Sequence, residues 1–187
     1  MKFYCLAVQT SKEDQVKKLL EEKLEAEDCK VKGTIHLFKK LMRLKNGKMY
    51  DVALFPGYLF LMTDCEEPRD LGYLLRTDGV FRYLPNSFEP SFLKGRDEDI
   101  VRELINSGNT LKFVRAKFKE NDRIVIVDGP FKNLSGKITS VNRRNHRVNI
   151  QLDFLNGMKL IGLTYFDIEK EDWSAEEKAF LNENAKS

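Results

Sequence analysis

Cysteine, proline and glycine are scarce in this 187-residue chain: three, five and eleven residues, respectively. Cys5, Cys29 and Cys65 are odd in number and none belongs to a Cys-x-x-Cys pair, so neither a disulfide framework nor a zinc site is expected, and a reducing cytoplasmic compartment fits. The low glycine and proline content excludes collagen-like and low-complexity chains. No uncharged apolar run approaches the ~18 residues of a membrane span, and the start of the chain is too weakly basic and apolar for a secretory signal. Glycine-rich phosphate loops, nucleophile elbows and metal-ligand spacings are also missing. His36 and His146 lie far apart, with no Asp or Cys partner at motif distance. The expectation is a protein that is not an enzyme and uses neither cofactor nor metal. What remains is 42% hydrophobic and 33% charged, enough for a core and too apolar for wholesale disorder.

Charge is unevenly distributed. Residues 1–107 balance 18 basic against 18 acidic groups, yet residues 30–48 hold seven basic groups and no acidic one. Residues 112–150 carry ten basic against three acidic groups, and residues 151–187 four against eight. Two basic regions in a nearly neutral protein suggest two nucleic-acid-facing surfaces. Solvation of exposed strands accounts for the same charge runs equally well.

Phe3–Gln9 reads as a strand. From Glu13 to Glu27 the apolar residues Val16, Leu19, Leu20 and Leu24 recur on one helical face, with Ser11 as the expected N-cap. Asn46-Gly47 predicts a hairpin with its return strand at Met49–Leu54, which gathers Lys39, Lys40, Arg43, Lys45 and Lys48 around one tip. Strands at Tyr58–Thr63 and Val80–Leu84, a short helix near 68–76 and a helix at Asp97–Asn106 complete an expected first domain, 1–107. Residues 108–121 read as a linker and 173–187 as a tail. Between them, 122–172 holds five short strands separated by turn residues, the pattern of a small closed barrel. The expected fold class is α+β, an antiparallel sheet with flanking helices joined to a small all-β barrel.

Two segments carry a family resemblance: Leu54-Phe55-Pro56-Gly57-Tyr58-Leu59-Phe60-Leu61 with Arg76-Thr77-Asp78-Gly79-Val80-Phe81, and Asp128-Gly129-Pro130-Phe131-Lys132-Asn133-Leu134-Ser135-Gly136-Lys137-Ile138 with Phe166-Asp167-Ile168-Glu169-Lys170. In this order they resemble the N-terminal domain and SH3-like KOW barrel of the NusG family of transcription elongation factors, and most closely its specialised LoaP-type antitermination paralogues. The resemblance covers roughly residues 2–171. It implies a monomeric cytoplasmic factor that binds bacterial RNA polymerase at the clamp helices of its largest subunit, suppresses pausing and termination, and contacts a nascent RNA hairpin with its barrel. The alternative is a general NusG coupling polymerase to Rho or the ribosome. Where general members carry Phe-Gly-Arg, this chain has Leu155-Asn156-Gly157, which places those two couplings in doubt.

Phe55-Pro56-Gly57-Tyr58 suits a displayed aromatic anchor, because Pro fixes φ and Gly permits a tight turn. Phe55 and Tyr58 are therefore the expected polymerase contacts, with Tyr4 and Phe81 as walls. Each aromatic could equally fill the core, and only the turn lifts Phe55 and Tyr58 above that. Lys39, Lys40, Arg43, Lys45 and Lys48 are expected on upstream DNA or the non-template strand, without sequence choice. Lys132, Lys137, Arg143, Arg144, His146 and Arg147 are expected on RNA, where guanidinium groups fork to phosphate and stack on bases. A solvated turn is the plainer account of the last four.

Overall fold

A computed structural model describes residues 1–43, 49–85, 89–112, 114–119, 123–126, 131 and 137–167. Strand β1 (Lys2–Val8) is central in a four-stranded sheet of order β2-β5-β1-β6, with β2 at Gly33–His36, β5 at Tyr58–Thr63 and β6 at Val80–Leu84. All its pairings are antiparallel. Successive β1 side chains point to opposite faces. Tyr4, Leu6 and Val8 join the core under helix α1 (Glu13–Glu25), while Phe3 and Cys5 join a second core on the other face.

The apolar stripe of α1 buries Val16, Leu20 and Leu24 as its spacing predicts, while Leu19 is only half-buried. Its cap does not. Ser11 adopts the left-handed region (φ 67°), and the helix starts after Lys12 with no side-chain cap. Glu13 and Asp14 still occupy the first turn, where carboxylates complement the helix dipole. Helix α2 (Pro68–Leu74) begins on proline, which needs no intrahelical donor there, and α3 (Arg96–Asn106) buries Ile100, Val101 and Leu104.

The expected hairpin is β3 (Lys39–Arg43) and β4 (Met49–Ala53), registered from Lys39 opposite Ala53 to Arg43 opposite Met49. Its tip, with Lys45 and Lys48, lies outside the described residues. The 108–121 stretch contains two strands. Strand β7 (Thr110–Leu111) runs parallel to β3, and β8 (Val114–Lys119) pairs with β9 (Arg123–Ile126). The second sheet has the order β10-β11-β12-β8-β9, with β10 at Lys137–Asn142, β11 at Arg147–Phe154 and β12 at Gly157–Asp167. Strand β12 runs unbroken through 157–167, where the five-strand pattern expected a turn; residues beyond 167 lie outside the described part.

One apolar cluster joins the four-stranded and five-stranded sheets. It includes Phe3, Cys5, Phe55 and Phe60 from the N-terminal sheet region, Ile100 and Leu104 from α3, and Ile150, Phe154 and Ile161 from the barrel. The barrel sits on the sheet face opposite α1.

Candidate functional site

The Phe55–Tyr58 turn is held from three directions. Leu54 N–H donates to the Phe38 carbonyl at 2.7 Å, and Val8 N–H donates to the Gly57 carbonyl at 2.8 Å. Gly57 N–H donates to Glu13 Oε1 at 2.7 Å, and Glu13 is itself buried. Gly57 has φ +80°, a conformation that L side chains rarely adopt. The turn is therefore rigid, as the Pro-Gly pair implied.

Its aromatics are covered rather than displayed. Phe55 is 3% exposed, and its ring centroid lies 4.7 Å from that of Phe154, at the end of β11. Phe60 completes the cluster, 6.0 Å from each of them. Tyr58 is half-buried, its hydroxyl accepts a hydrogen bond from Lys159 Nζ at 2.8 Å, and the same ammonium lies 4.7 Å from its ring centroid. Both residues thus meet the barrel at its β11–β12 turn.

Tyr4 does not belong to this surface. The alternation of β1 turns it toward α1, where its ring meets Tyr83 edge-on at 5.9 Å and its hydroxyl donates to the Cys65 carbonyl. Phe3 and Cys5 take the place expected of Tyr4 beside Phe55. Phe81 is 66% exposed on edge strand β6, away from the Phe55 cluster.

Two further polar contacts close the interface. Asp97 accepts the Leu155 N–H at 3.1 Å, and Thr164 Oγ1 donates to the Leu41 carbonyl at 3.3 Å. Leu155 and Asn156 are both left-handed (φ 56° and 55°), the geometry of a tight two-residue hairpin turn that aims the Leu155 amide at α3. Burial raises the Asp97 carboxyl above its usual range, opposed by the Leu155 N–H and reinforced by Asp153. A raised carboxyl means that the packed state holds its proton more tightly than the separated one. Closure is therefore strongest below the ordinary carboxylate range and weakens as pH rises through the raised value. Asp97→Asn is expected to keep the acceptor and flatten that dependence, and Asp97→Ala to loosen closure at every pH. Exchange of the Leu155 amide followed by NMR against pH checks both.

The basic groups divide. Lys39 pairs with Asp14 at 2.7 Å. Lys40 is half-buried, and its ammonium is held below the usual lysine range by burial first and by Arg147 second. Arg43 closes β3, but its side chain, like those of Lys132 and Lys137, is outside the described part. Arg143 and Arg144 are exposed in the β10–β11 turn, where Asn142 Oδ1 accepts the Asn145 N–H. His146 is half-buried there, its ring 5.8 Å from Tyr165. Among the described residues no group of three metal-ligating side chains occurs, and no helix is long and apolar enough to cross a membrane.

Sequence reading missed a polar cleft of about 160 Å³ between the α1–β2 connection and α2, lined by Asp28, Lys30, Arg69, Asp70, Tyr73 and Arg76. The spacing of Arg69 and Tyr73 was the available signal: four residues apart, they fall on one face of α2, with Arg76 just past its end.

Comparison with known proteins agrees with this architecture. Residues 1–102 match the family described as transcription termination factor NusG, and residues 120–153 match the KOW motif. The chain is 24% identical over 184 residues to the transcription termination/antitermination protein NusG of Thermus thermophilus, covering 91% of this chain and 98% of the relative. It is also 24% identical over 180 residues to the Bacillus subtilis protein of the same name, covering 90% and 97%. A solved structure addressing domain interaction in Thermotoga maritima NusG superposes with a TM-score of 0.60 at 18% identity, covering 87% of this chain and 92% of that one, and so shares the fold. With more than half its length matched by the family model, the chain belongs to the NusG family of transcription termination and antitermination proteins.

Proposed function

We infer that the protein is a specialised elongation and processive antitermination factor that binds bacterial RNA polymerase through the Phe55–Tyr58 turn once the barrel has moved aside. The observation that carries this reading is the Phe55–Phe154 ring contact. The hydrogen-bonded turn carries Phe55, and the barrel packs its Phe154 over it. The platform suits the apolar face of a helix pair, such as the polymerase clamp helices, and the barrel competes for it. Phe55 and Tyr58 are the binding anchors in this scheme. The β3–β4 hairpin then follows upstream DNA or the non-template strand through phosphate contacts that strengthen binding without choosing sequence. Arg143, Arg144 and Arg147 of the barrel contact a nascent leader RNA hairpin. A closed clamp with guided DNA suppresses pausing, and no covalent step is needed.

The second reading is a general factor coupling polymerase to Rho or the ribosome, favoured by relatives that carry the general NusG name over nine-tenths of this chain. Against it stands the turn at Leu155-Asn156-Gly157, which lacks the Phe-Gly-Arg of general members and is engaged with Asp97.

Reconstituted elongation across pauses and terminators, with and without a leader RNA, tests the choice. Read-through that depends on the RNA supports the specialised factor. Polymerase binding with no RNA dependence, together with affinity of the free barrel face for Rho, transfers the assignment to the general one.

A further inference from the structure

Leu71 and Leu74 of α2 join the core under α1, so the polar cleft beside α2 lies on the side of the sheet away from the barrel. Tyr73 sets its geometry. The Tyr73 hydroxyl donates to Asp28 Oδ2 at 3.0 Å, which ties α2 to the α1–β2 connection, and the Lys23 ammonium lies 4.4 Å from the centroid of its ring. Lys30 lines the cleft from the connection, Arg69 from α2 and Arg76 from the turn after it. None of these four cations forms an ion pair with a described residue, whereas Lys2, Lys17, Lys18, Lys39 and Arg102 each do.

Two carboxylates stand against the four cations. Asp28 is occupied by the Tyr73 hydroxyl, and Asp70 lies in the first turn of α2, where it complements the helix dipole. Two positive charges are left over around a volume of about 160 Å³. Pockets that enclose a whole drug-sized ligand run to roughly 300–1,000 Å³, so this cleft admits one compact group. A carboxylate, a sulfate ester or an internal nucleic-acid phosphate brings a single charge. A phosphate monoester brings about −1.5 to −2 on one tetrahedral group, with three acceptor oxygens to which guanidinium groups fork in pairs. The surroundings disfavour a long polyanion. Exposed Glu25 and Glu27 precede one wall of the cleft, and exposed Glu67 and Asp78 flank the other. A polyanion would run over these carboxylates, whereas a small ester leaves them in water. We propose that the cleft binds the phosphate of a small phosphate monoester, with Lys30, Arg69 and Arg76 on its oxygens and Lys23 adding the fourth charge from the Tyr73 ring. The inference goes beyond the proposed function and does not rest on it, because the cleft shares no residue with the polymerase surface or the barrel interface.

NMR titration of the full chain at neutral pH and fixed ionic strength tests the site, with the amides of Lys30, Tyr73 and Arg76 as reporters. The cations keep much of their surface in solvent, so a dissociation constant of about millimolar is expected. Methyl phosphate and ribose 5-phosphate should shift the reporters and saturate them. Methyl sulfate has the same shape and one charge fewer, and should bind about fivefold more weakly. Acetate and ribose should leave the reporters in place. Arg69→Gln and Arg76→Gln should each weaken methyl phosphate about tenfold, the loss of a charge-assisted hydrogen bond. Lys23→Gln should weaken it about twofold, because that ammonium acts through charge alone. Lys18→Gln removes a cation that is paired with Glu22 elsewhere on α1, and should change nothing. Equal responses to methyl phosphate, methyl sulfate and acetate would reduce the cleft to general ionic attraction and overturn the inference. Titrations that Arg69→Gln and Arg76→Gln leave unchanged, with circular dichroism showing both variants folded, would place the ligand elsewhere and overturn it too. A third outcome is an oligoribonucleotide that moves the reporters only when it carries a 5′-phosphate, while ribose 5-phosphate does not move them. That result would give the cleft to an RNA end and overturn the assignment to a small ester.

Discussion

Phe154→Ala is expected to raise the affinity of the protein for polymerase, whereas Phe55→Ala is expected to lower it. Both substitutions remove one ring from the same contact, with centroids 4.7 Å apart, so both loosen closure. Truncating a buried phenylalanine costs about 3–5 kcal/mol. Even if half of that cost falls on the barrel's own core, the closed-to-open ratio drops by about tenfold or more. A partner that binds only the open form gains affinity by the same factor, until the open form predominates and the gain saturates. In the proposed mechanism Phe55 differs because it contacts the barrel in one state and the polymerase in the other. Its loss opens the protein and removes the anchor together, and a central aromatic anchor is worth about 2 kcal/mol or more in binding. Titration of labelled variants against purified polymerase gives the two signs, and circular dichroism confirms that the Phe154→Ala barrel still folds. Parallel changes in both variants would mean that Phe55 is core filling and nothing more.

Much of the architecture was legible because it rests on local patterns. The i, i+3, i+4, i+8 series of Val16, Leu19, Leu20 and Leu24 predicted the apolar stripe of α1, of which only Leu19 stays half-exposed, and the spacing of turn residues between short apolar runs predicted the strand-rich C-terminal module. The Pro56-Gly57 turn was legible as a rigid element for the same reason. Three features escaped. Tyr4 was assigned to the wrong face because alternation fixes which residues share a face, not which face meets which partner. One residue of parity exchanged Tyr4 for Phe3 and Cys5. Ser11 looked like a cap by residue type, but the chain enters α1 through a left-handed residue, which removes the side chain from capping position. The interface itself joins Phe55 to Phe154, Tyr58 to Lys159 and Asp97 to Leu155, pairs separated by 99, 101 and 58 positions. No periodicity spans such distances. Composition signals that an aromatic will be buried somewhere, and only the tertiary arrangement says that its cover is another domain.

Gly79→Ala is expected to destabilise the N-terminal domain by about 2–5 kcal/mol and to weaken polymerase binding without touching the platform. Gly79 has φ +83°, and a Cβ there would lie 2.7 Å from Val16 Cγ2. A left-handed non-glycine residue costs about 1–2 kcal/mol, and forcing extra volume against a packed branched side chain adds about 1–3 kcal/mol. Val16 is 2% exposed on the buried face of α1, so it has little room to yield. The functional consequence follows from the hydrogen bonds around it. The Gly79 carbonyl accepts Gln9 N–H at 2.8 Å, next to the Val8 N–H that donates to Gly57. Displacing this turn shifts the end of β1 and the first turn of α1 together. Glu13 sits in that turn and holds Gly57 N–H, the bond that fixes Phe55 and Tyr58. Denaturant unfolding should show a lower midpoint with an unchanged slope, and polymerase affinity should fall at temperatures where the domain is still folded. A variant equally unstable through a change remote from α1 and β1 separates the two effects. If that control binds polymerase as weakly as Gly79→Ala does, the loss is one of stability alone, and the chain of hydrogen bonds from Gly79 through β1 and Glu13 to the aromatic turn does not position the anchor.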